Sequence, residues 1–563
     1  MPGTYPREAT VSQDAFDVVV VGSGAGGAPL ALTLARAGVR VAILERGEYH
    51  RREDFHYDEL GVARRDFLVP SSQSDPHVVL ETGKAPERSN DGWIAVCVGG
   101  GTVHWSGFAY RFRPEDFRVR GLLGPIAGAT HADWPISYDE LEPFYAEVDR
   151  EIGISGPNEE GDQVGPRSTP YPLPPVETHP AGTLLDEASK KLGVRCTVTP
   201  RAVLSRPYQG RPACNYHDVC GSFGCNVGAK GSTMEALIPK AVATGKCQVI
   251  PRARAHTIET DASGRATGVV YRDESGVDHK LSARAVVVAA SAVESVRLLL
   301  MSRGEAHPYG IGNTEGQLGQ NFMFSTLSKA HGSFDFGKQA RWRKVFESKA
   351  PFLGRSTASY YTPRDTKAGV IKGGGLGFLF PAGGPIFQSE LVAARGQGLA
   401  FGSELRERLR HYWTEQRQID CETFGEYLPN AGTRIELDPT VTDDAGFPAA
   451  RILIDRHPQD GVVSEYLGQR GAELLDAAGA DDVWITDLGA STKHLPMGGC
   501  RMGTDPAASV VDRDCRIHGA KNVWVSDGSV FPSSGGWPPT LTIMANAFRV
   551  SRALIQAMNS REL

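Results

Sequence analysis

The chain has 563 residues, too many for one hydrophobic core, so two domains interleaved along the sequence are expected. A net charge of −6, from 60 Lys and Arg against 66 Asp and Glu, leaves no basic footprint for nucleic-acid phosphates, and no such partner is expected. The composition is that of an ordinary soluble protein, and nine cysteines in a chain of this size make no disulfide framework.

Residues 1–15 are polar and hold no basic segment followed by an apolar run, so the expectation is a cytoplasmic protein. Next comes Asp17-Val-Val-Val-Val-Gly22-Ser-Gly24-Ala-Gly26-Gly27. The valine run reads as a buried strand, 30–37 as a helix and 39–44 as a second strand, so the glycines fall at a strand-to-helix turn. Gly22 permits the tight turn, Gly24 lets backbone approach a pyrophosphate and Gly27 lets helix and sheet pack closely. The helix N-terminus supplies N–H groups for phosphates, and Glu45, about 20 residues past the first glycine, is placed to accept hydrogen bonds from a ribose. This is a dinucleotide-binding βαβ unit.

A second glycine-rich loop spans 99–107 and contains Gly100, Gly101 and His104. Trp134-Pro-Ile-Ser137 opens a helix with Ser137 as N-cap. Residues 153–180, rich in Pro and Gly, read as a linker or surface excursion. Cys214, Cys220 and Cys225 then fall within twelve residues, separated by glycines that let a loop curl. Three thiolates so spaced suit an iron–sulfur cluster; with His217 they form a Cys₃His set suited to zinc; the third reading is a loop of reduced, unligated cysteines.

Residues 249–271 alternate as strands do, with Gly264 at a hairpin turn. Residues 285–290 read as another buried strand leading into a helix over 293–301. Glu294 and Arg297 interrupt that apolar stretch, so no membrane span is expected. From about 325 to 487 the texture is mixed strands and polar helices with no cofactor-like motif, which marks the substrate-facing region. The last 70 or so residues return to dense glycine-rich motif.

Taken together, the amino-terminal fingerprint, the 99–107 loop, residues 285–300, Gly316-Gln-Leu-Gly-Gln-Asn321, Gly498-Gly-Cys-Arg-Met-Gly503 and Val525-Ser-Asp527-Gly528-Ser-Val-Phe-Pro532 resemble, in order, the glucose-methanol-choline (GMC) flavoprotein oxidoreductases, nearest to sugar and gluconate dehydrogenases and pyranose oxidase-like members. The resemblance covers roughly the FAD-binding half of the chain. It implies an α/β fold: a Rossmann-like, glutathione-reductase-type FAD domain and an α+β substrate domain built on a sheet. On this reading 1–155, 226–324 and 488–563 form a discontinuous FAD domain, and 156–225 with 325–487 form the substrate domain and linker excursion.

The resemblance further implies hydride transfer from a sugar, glycoside or other alcohol CH–OH to flavin N5. A hydroxyl that gives up a hydride must lose its proton, and a neutral imidazole is the natural base near pH 7. The nearest match to the family's base is His494, one position upstream of the usual place, which here is Leu495; Pro496 resembles an inserted residue that restores its reach. The alternative is a structural histidine beside the flavin. The second departure is at Pro538, where family members place Asn or His; proline carries no base and no side-chain donor. These departures keep open a non-oxidative or light-driven reaction on the same scaffold, as a lyase or decarboxylase.

His104 matches a position at which some members tether FAD covalently; otherwise it contacts the flavin. Asp527 and Gly528 resemble the strand end that meets the pyrophosphate and ribityl chain, and Thr540 and Leu541 would bring backbone near the isoalloxazine. The cysteine segment matches bacterial relatives with an iron–sulfur cluster. Such a cluster would pass electrons singly to a haem partner or quinone, with a small subunit or cytochrome as partner; without metal, oxygen or a soluble acceptor takes that place.

Overall fold

The computed structural model describes residues 16–563 except 57, 61–66, 94, 159–164, 218–222, 364–368, 382–383, 396–397, 488–492 and 561. Phe16–Val21 lies inside a seven-stranded sheet between Val41–Leu44 and Asp278–Val288, parallel to both. Val18, Val19 and Val20 are wholly buried, as a strand covered on both faces must be. Cys247–Ile250 extends the sheet on one side, Val523–Val525 joins in parallel beside Asp278–Val288, and the antiparallel pair Ala266–Arg272 and Arg254–Thr260 completes it. Two ends of the chain, some 500 residues apart, thus share one sheet.

The helix after the fingerprint runs Gly27–Arg36, starting a turn before the sequence pattern because Gly27 itself is its first residue. It packs against the carboxy-terminal helix Thr540–Asn559. The second expected helix runs Ala292–Met301, and the hairpin turns at Gly264, whose φ of 80° is a left-handed conformation suited to glycine. Ser137 caps Tyr138–Ile152 as the sequence suggests, its hydroxyl accepting the Glu140 N–H at 3.2 Å while the Glu140 carboxylate accepts the Ser137 N–H.

A six-stranded sheet forms the other half. Its order is Asp482–Thr486, Lys329–Asp335, Gln416–Gly425, Gly374–Leu379, Arg355–Thr357 and Thr197–Val198, antiparallel throughout. The helix Pro458–Ala477 covers one face, where Ala330, Phe334, Ile419, Cys421, Leu467 and Leu474 make a second core. Arg434–Thr442 and Pro448–Ile454 fall in the sequence range assigned above to the substrate unit. They pair with His77–Glu81 and Glu87–Ser89 in a four-stranded sheet whose Ile435, Ala450 and Ile452 pack in the larger core. Among the described residues no helix is long and apolar enough to cross a membrane.

Candidate active site

One cavity of about 1610 Å³ runs from the fingerprint loop to the open face of the six-stranded sheet. Pockets for one small ligand hold roughly 300–1,000 Å³, so this volume accommodates a dinucleotide together with a second molecule.

The nucleotide end is built from backbone. Gly22 has φ 103°, and a Cβ there would lie 2.3 Å from the Ala289 carbonyl oxygen; at Gly27 it would lie 1.9 Å from the Gly22 oxygen. Both contacts exclude any side chain, as the fingerprint requires. A Cβ on Gly24 would meet nothing nearer than the Gly100 Cα at 3.8 Å, so the two glycine-rich loops leave their backbones bare toward each other at the cavity wall. Gly26, to which the sequence pattern assigned no role, is the tightest of the four fingerprint glycines: its Cβ would stand 1.7 Å from the Ser526 oxygen, where the carboxy-terminal strand end crosses the loop.

Ser23 joins these parts. Its N–H and hydroxyl donate to Glu45 Oε2 at 3.1 and 2.6 Å, and its Oγ accepts the Gly99 N–H at 2.9 Å. Glu45 Oε1 accepts the Gly47 N–H at 2.9 Å; burial pushes the carboxyl above the usual carboxylate range, against these donors. Thr102 and Thr233 lock the second loop: Thr102 donates to the Gly99 oxygen at 2.6 Å, and Thr233 donates to the Ser23 oxygen at 3.0 Å. Gly100, Gly101 and the buried His104 line the cavity beyond them.

The carboxy-terminal motif forms the adjoining wall. Asp527 accepts the Ser295 hydroxyl at 2.5 Å and the Ser529 N–H at 2.8 Å, with its carboxyl also pushed up by burial. Asp527, Gly528, Pro538, Pro539 and Thr540 line the cavity, whereas Leu541 is buried in the core and does not. Thr540 opens a twenty-residue helix, so free N–H groups of its first turn lie at the wall.

His494 is exposed and also lines the cavity. Its carbonyl accepts the Ser325 N–H at 3.2 Å, and Met497 pairs with Met323 through two backbone bonds of 2.8 Å. Between them Leu495 takes a left-handed φ of 56°, uncommon for a branched side chain. Pro538 lies on the same cavity wall and brings no polar side-chain group.

Beyond His494 the cavity is walled by the six-stranded sheet. Lys329, His331, Gln418, Asp420, Glu422 and Trp484 line it. The carboxylate of Glu422, 3.1 Å from the Lys329 ammonium, raises the lysine pKa despite burial. The sequence reading singled out none of these residues.

Cys214 and Cys225 sit apart from the cavity wall. Both are half-buried against Leu173, Leu204 and Ala229, and Cys214 Sγ accepts the Tyr216 N–H at 3.3 Å; Cys220 lies outside the described residues. Among the described residues no three His, Cys, Asp or Glu groups converge as metal ligands would.

A glycine-lined dinucleotide cradle that opens onto a second, antiparallel sheet defines a two-domain nucleotide-dependent enzyme with a Rossmann-like cofactor domain. Family models place it further: residues 17–54 match an FAD binding domain, and 134–325 and 429–547 match GMC oxidoreductase. The chain is similar to 6'''-hydroxyparomomycin C oxidase of Streptomyces lividus, 31% identical over 98% of this chain and 92% of that one. It is also similar to the fructose dehydrogenase large subunit of Gluconobacter japonicus, 28% identical over 96% and 97%. Pyridoxine 4-oxidase of Mesorbium loti shares the fold, with a TM-score of 0.63 at 18% identity, over 96% of this chain and 99% of that one. The chain belongs to the GMC oxidoreductases, and its cofactor is FAD.

Proposed function

We propose that this enzyme oxidises a CH–OH group of a sugar, glycoside or related alcohol, with His494 taking the hydroxyl proton. The observation that carries this reading is the continuity of the cavity: the nucleotide cradle, His494 and a polar sheet face line one space. Bound FAD supplies the hydride acceptor at its N5.

The chain's own residues have distinct tasks. The bare backbone at Gly24, on the turn that Gly22 and Gly27 permit and with the helix N-terminus behind it, would receive the pyrophosphate, and Glu45, fixed by Ser23 and Gly47, would receive the ribose. Gly100, Gly101 and His104 of the second glycine-rich loop, with Asp527, Gly528 and Thr540 of the carboxy-terminal segment, line the part of the cavity that would hold the flavin. First-turn N–H groups at Thr540 offer donors for negative charge that develops on it. His494 accepts the substrate proton as the hydride leaves, a role that neutral imidazole fills near pH 7. Pro538, on the same cavity wall, brings no polar side-chain group to share that role.

The test is anaerobic: candidate alcohols and sugars are added to the flavin-loaded protein and the flavin absorbance is followed. Bleaching by a hydroxylated donor is the expected result. A flavin that no alcohol or sugar reduces overturns the reading and leaves the non-oxidative alternative. A partner subunit that carries electrons away is a second reading, supported by the likeness to a protein named as a large subunit. Purification of the chain alone, with turnover measured against oxygen and against soluble one-electron acceptors, tests it: a lone chain that turns over with oxygen needs no such partner.

A further inference from the structure

We propose that the cavity-facing side of the six-stranded sheet is a rail for a multi-ring glycoside, with Asp420 and Glu422 as the residues that select donors extending beyond the ring being oxidised. The proposal rests on the reading of the cavity as the site of alcohol oxidation and adds the size class of the donor.

Strand Gln416–Gly425 alternates as a half-buried strand does, with Ile419 and Cys421 in the second core and Gln418, Asp420, Glu422 and Phe424 in the cavity. Register brings its neighbours into line. Thr486, Lys329 and Glu422 are directly opposite one another across three strands, and so are Trp484, His331 and Asp420. Side chains so placed share one face and interact, and here they form two polar rungs.

The outer rung is fixed in place. His331 Nδ1 lies 2.8 Å from Asp420 Oδ1, its Nε2 lies 3.0 Å from Thr486 Oγ1, and its ring stacks on Trp484 with centroids 5.0 Å apart. Gln418 Nε2 donates to the same Asp420 oxygen at 2.7 Å. Both bonds fall on Oδ1, and among the described residues Oδ2 accepts none. An oriented carboxylate with one oxygen spent and one to spare is an acceptor for a ligand hydroxyl or ammonium. Nor is this an ordinary solvated sheet face: the side chains of His331 and Asp420 are only 12% and 13% exposed. Phe387, Leu391 and Tyr412, from the helices Pro385–Ala394 and Gly402–Thr414, line the same cavity across from the sheet.

The rungs lie at graded distances from the reaction end. His494 is bonded through its carbonyl to Ser325, and Thr326 bridges to Gly425, so His494 stands at the Gly425 end of the rail. At about 3.4 Å per residue, Glu422 lies roughly 10 Å and Asp420 roughly 17 Å along the strand from that end. A ring oxidised at His494 approaches the first rung, and contact with the second takes a further ring.

The experiment measures affinity of the flavin-loaded enzyme for glucose, maltose and maltotriose, and for glucosamine, chitobiose and chitotriose, by calorimetry. In at least one series affinity is expected to rise with each ring. Asp420→Asn and Glu422→Gln are each expected to weaken trisaccharide binding about tenfold, bringing the trisaccharide-to-monosaccharide ratio toward one. Affinity independent of ring number, absent binding in both series, or a ratio unmoved in both variants overturns the rail. Flavin bleaching by short alcohols with flat affinities would sink the rail and leave the oxidation reading intact; no bleaching by any donor would sink the oxidation reading itself.

Discussion

The two ends of the cavity are built from opposite materials. At the nucleotide end the wall is backbone: four glycines whose Cβ atoms would collide with carbonyl oxygens or cover bare backbone, braced by Ser23, Thr102 and Thr233. At the substrate end it is side chain: ion pairs and hydrogen bonds of Lys329, His331, Asp420 and Glu422 on a regular sheet. Backbone geometry leaves little room for substitution and suits an invariant ligand such as FAD, whereas side chains on a fixed strand are exchangeable without disturbing the fold. On the proposed reading, the first wall binds the cofactor and the second chooses the donor.

The largest effect is expected at the rigid wall. Gly26→Ala puts a carbon 1.7 Å from the Ser526 oxygen, where only backbone can give way, so the variant should purify without flavin. Flavin absorbance per protein checks it, and full occupancy would show that the cradle is softer than described. His494→Ala should keep the flavin and slow its reduction by roughly 10²–10⁴-fold, the usual worth of a general base. Stopped-flow reduction without oxygen reads this, and an unchanged rate would make His494 scaffolding. Glu45→Gln keeps the shape but loses the charge that Ser23 and Gly47 solvate, and FAD affinity should fall about tenfold; apoenzyme titration with FAD is the measure.

The smallest effect on cofactor and donor binding is expected at the support of the substrate wall. Asp460 begins the helix beneath the sheet and accepts the Leu428 and His457 N–H groups, and burial pushes its pKa up to about 7. The folded protein therefore keeps a proton that the unfolded chain releases near pH 4. Stability from this group is greatest below pH 4 and falls as pH rises toward 7, by at most about 1.4 kcal/mol per pH unit. Asp460→Asn should flatten that part of the stability profile while donor affinity changes little. An unaltered slope between pH 4 and 7 would contradict the assignment.

The contrast also explains what the sequence discloses. Gly22 and Gly27 are legible because only glycine fits those backbone positions, Gly24 because it falls between them in the same pattern, and the strand, turn and helix around them are local. Gly26 is not, because the atom that excludes its side chain belongs to Ser526, brought there by the pairing of Val523–Val525 with Asp278–Val288. The polar sheet face is illegible for another reason. Gln418, Asp420 and Glu422 alternate with apolar residues as they would on a strand facing bulk water, and only the register against Lys329–Asp335 and the helices across the cavity distinguish a wall from a surface. His494 is legible by its place before Gly498-Gly-Cys-Arg-Met-Gly503, while the left-handed Leu495 beside it is a feature of the folded backbone.

The most direct trial of the account is the absorbance spectrum of the pure chain, taken before and after a sugar or alcohol donor is added without oxygen. The account predicts a yellow protein whose flavin bands collapse on addition of donor. A colourless polypeptide that refuses added FAD, or a bound flavin indifferent to every hydroxylated donor, would contradict it.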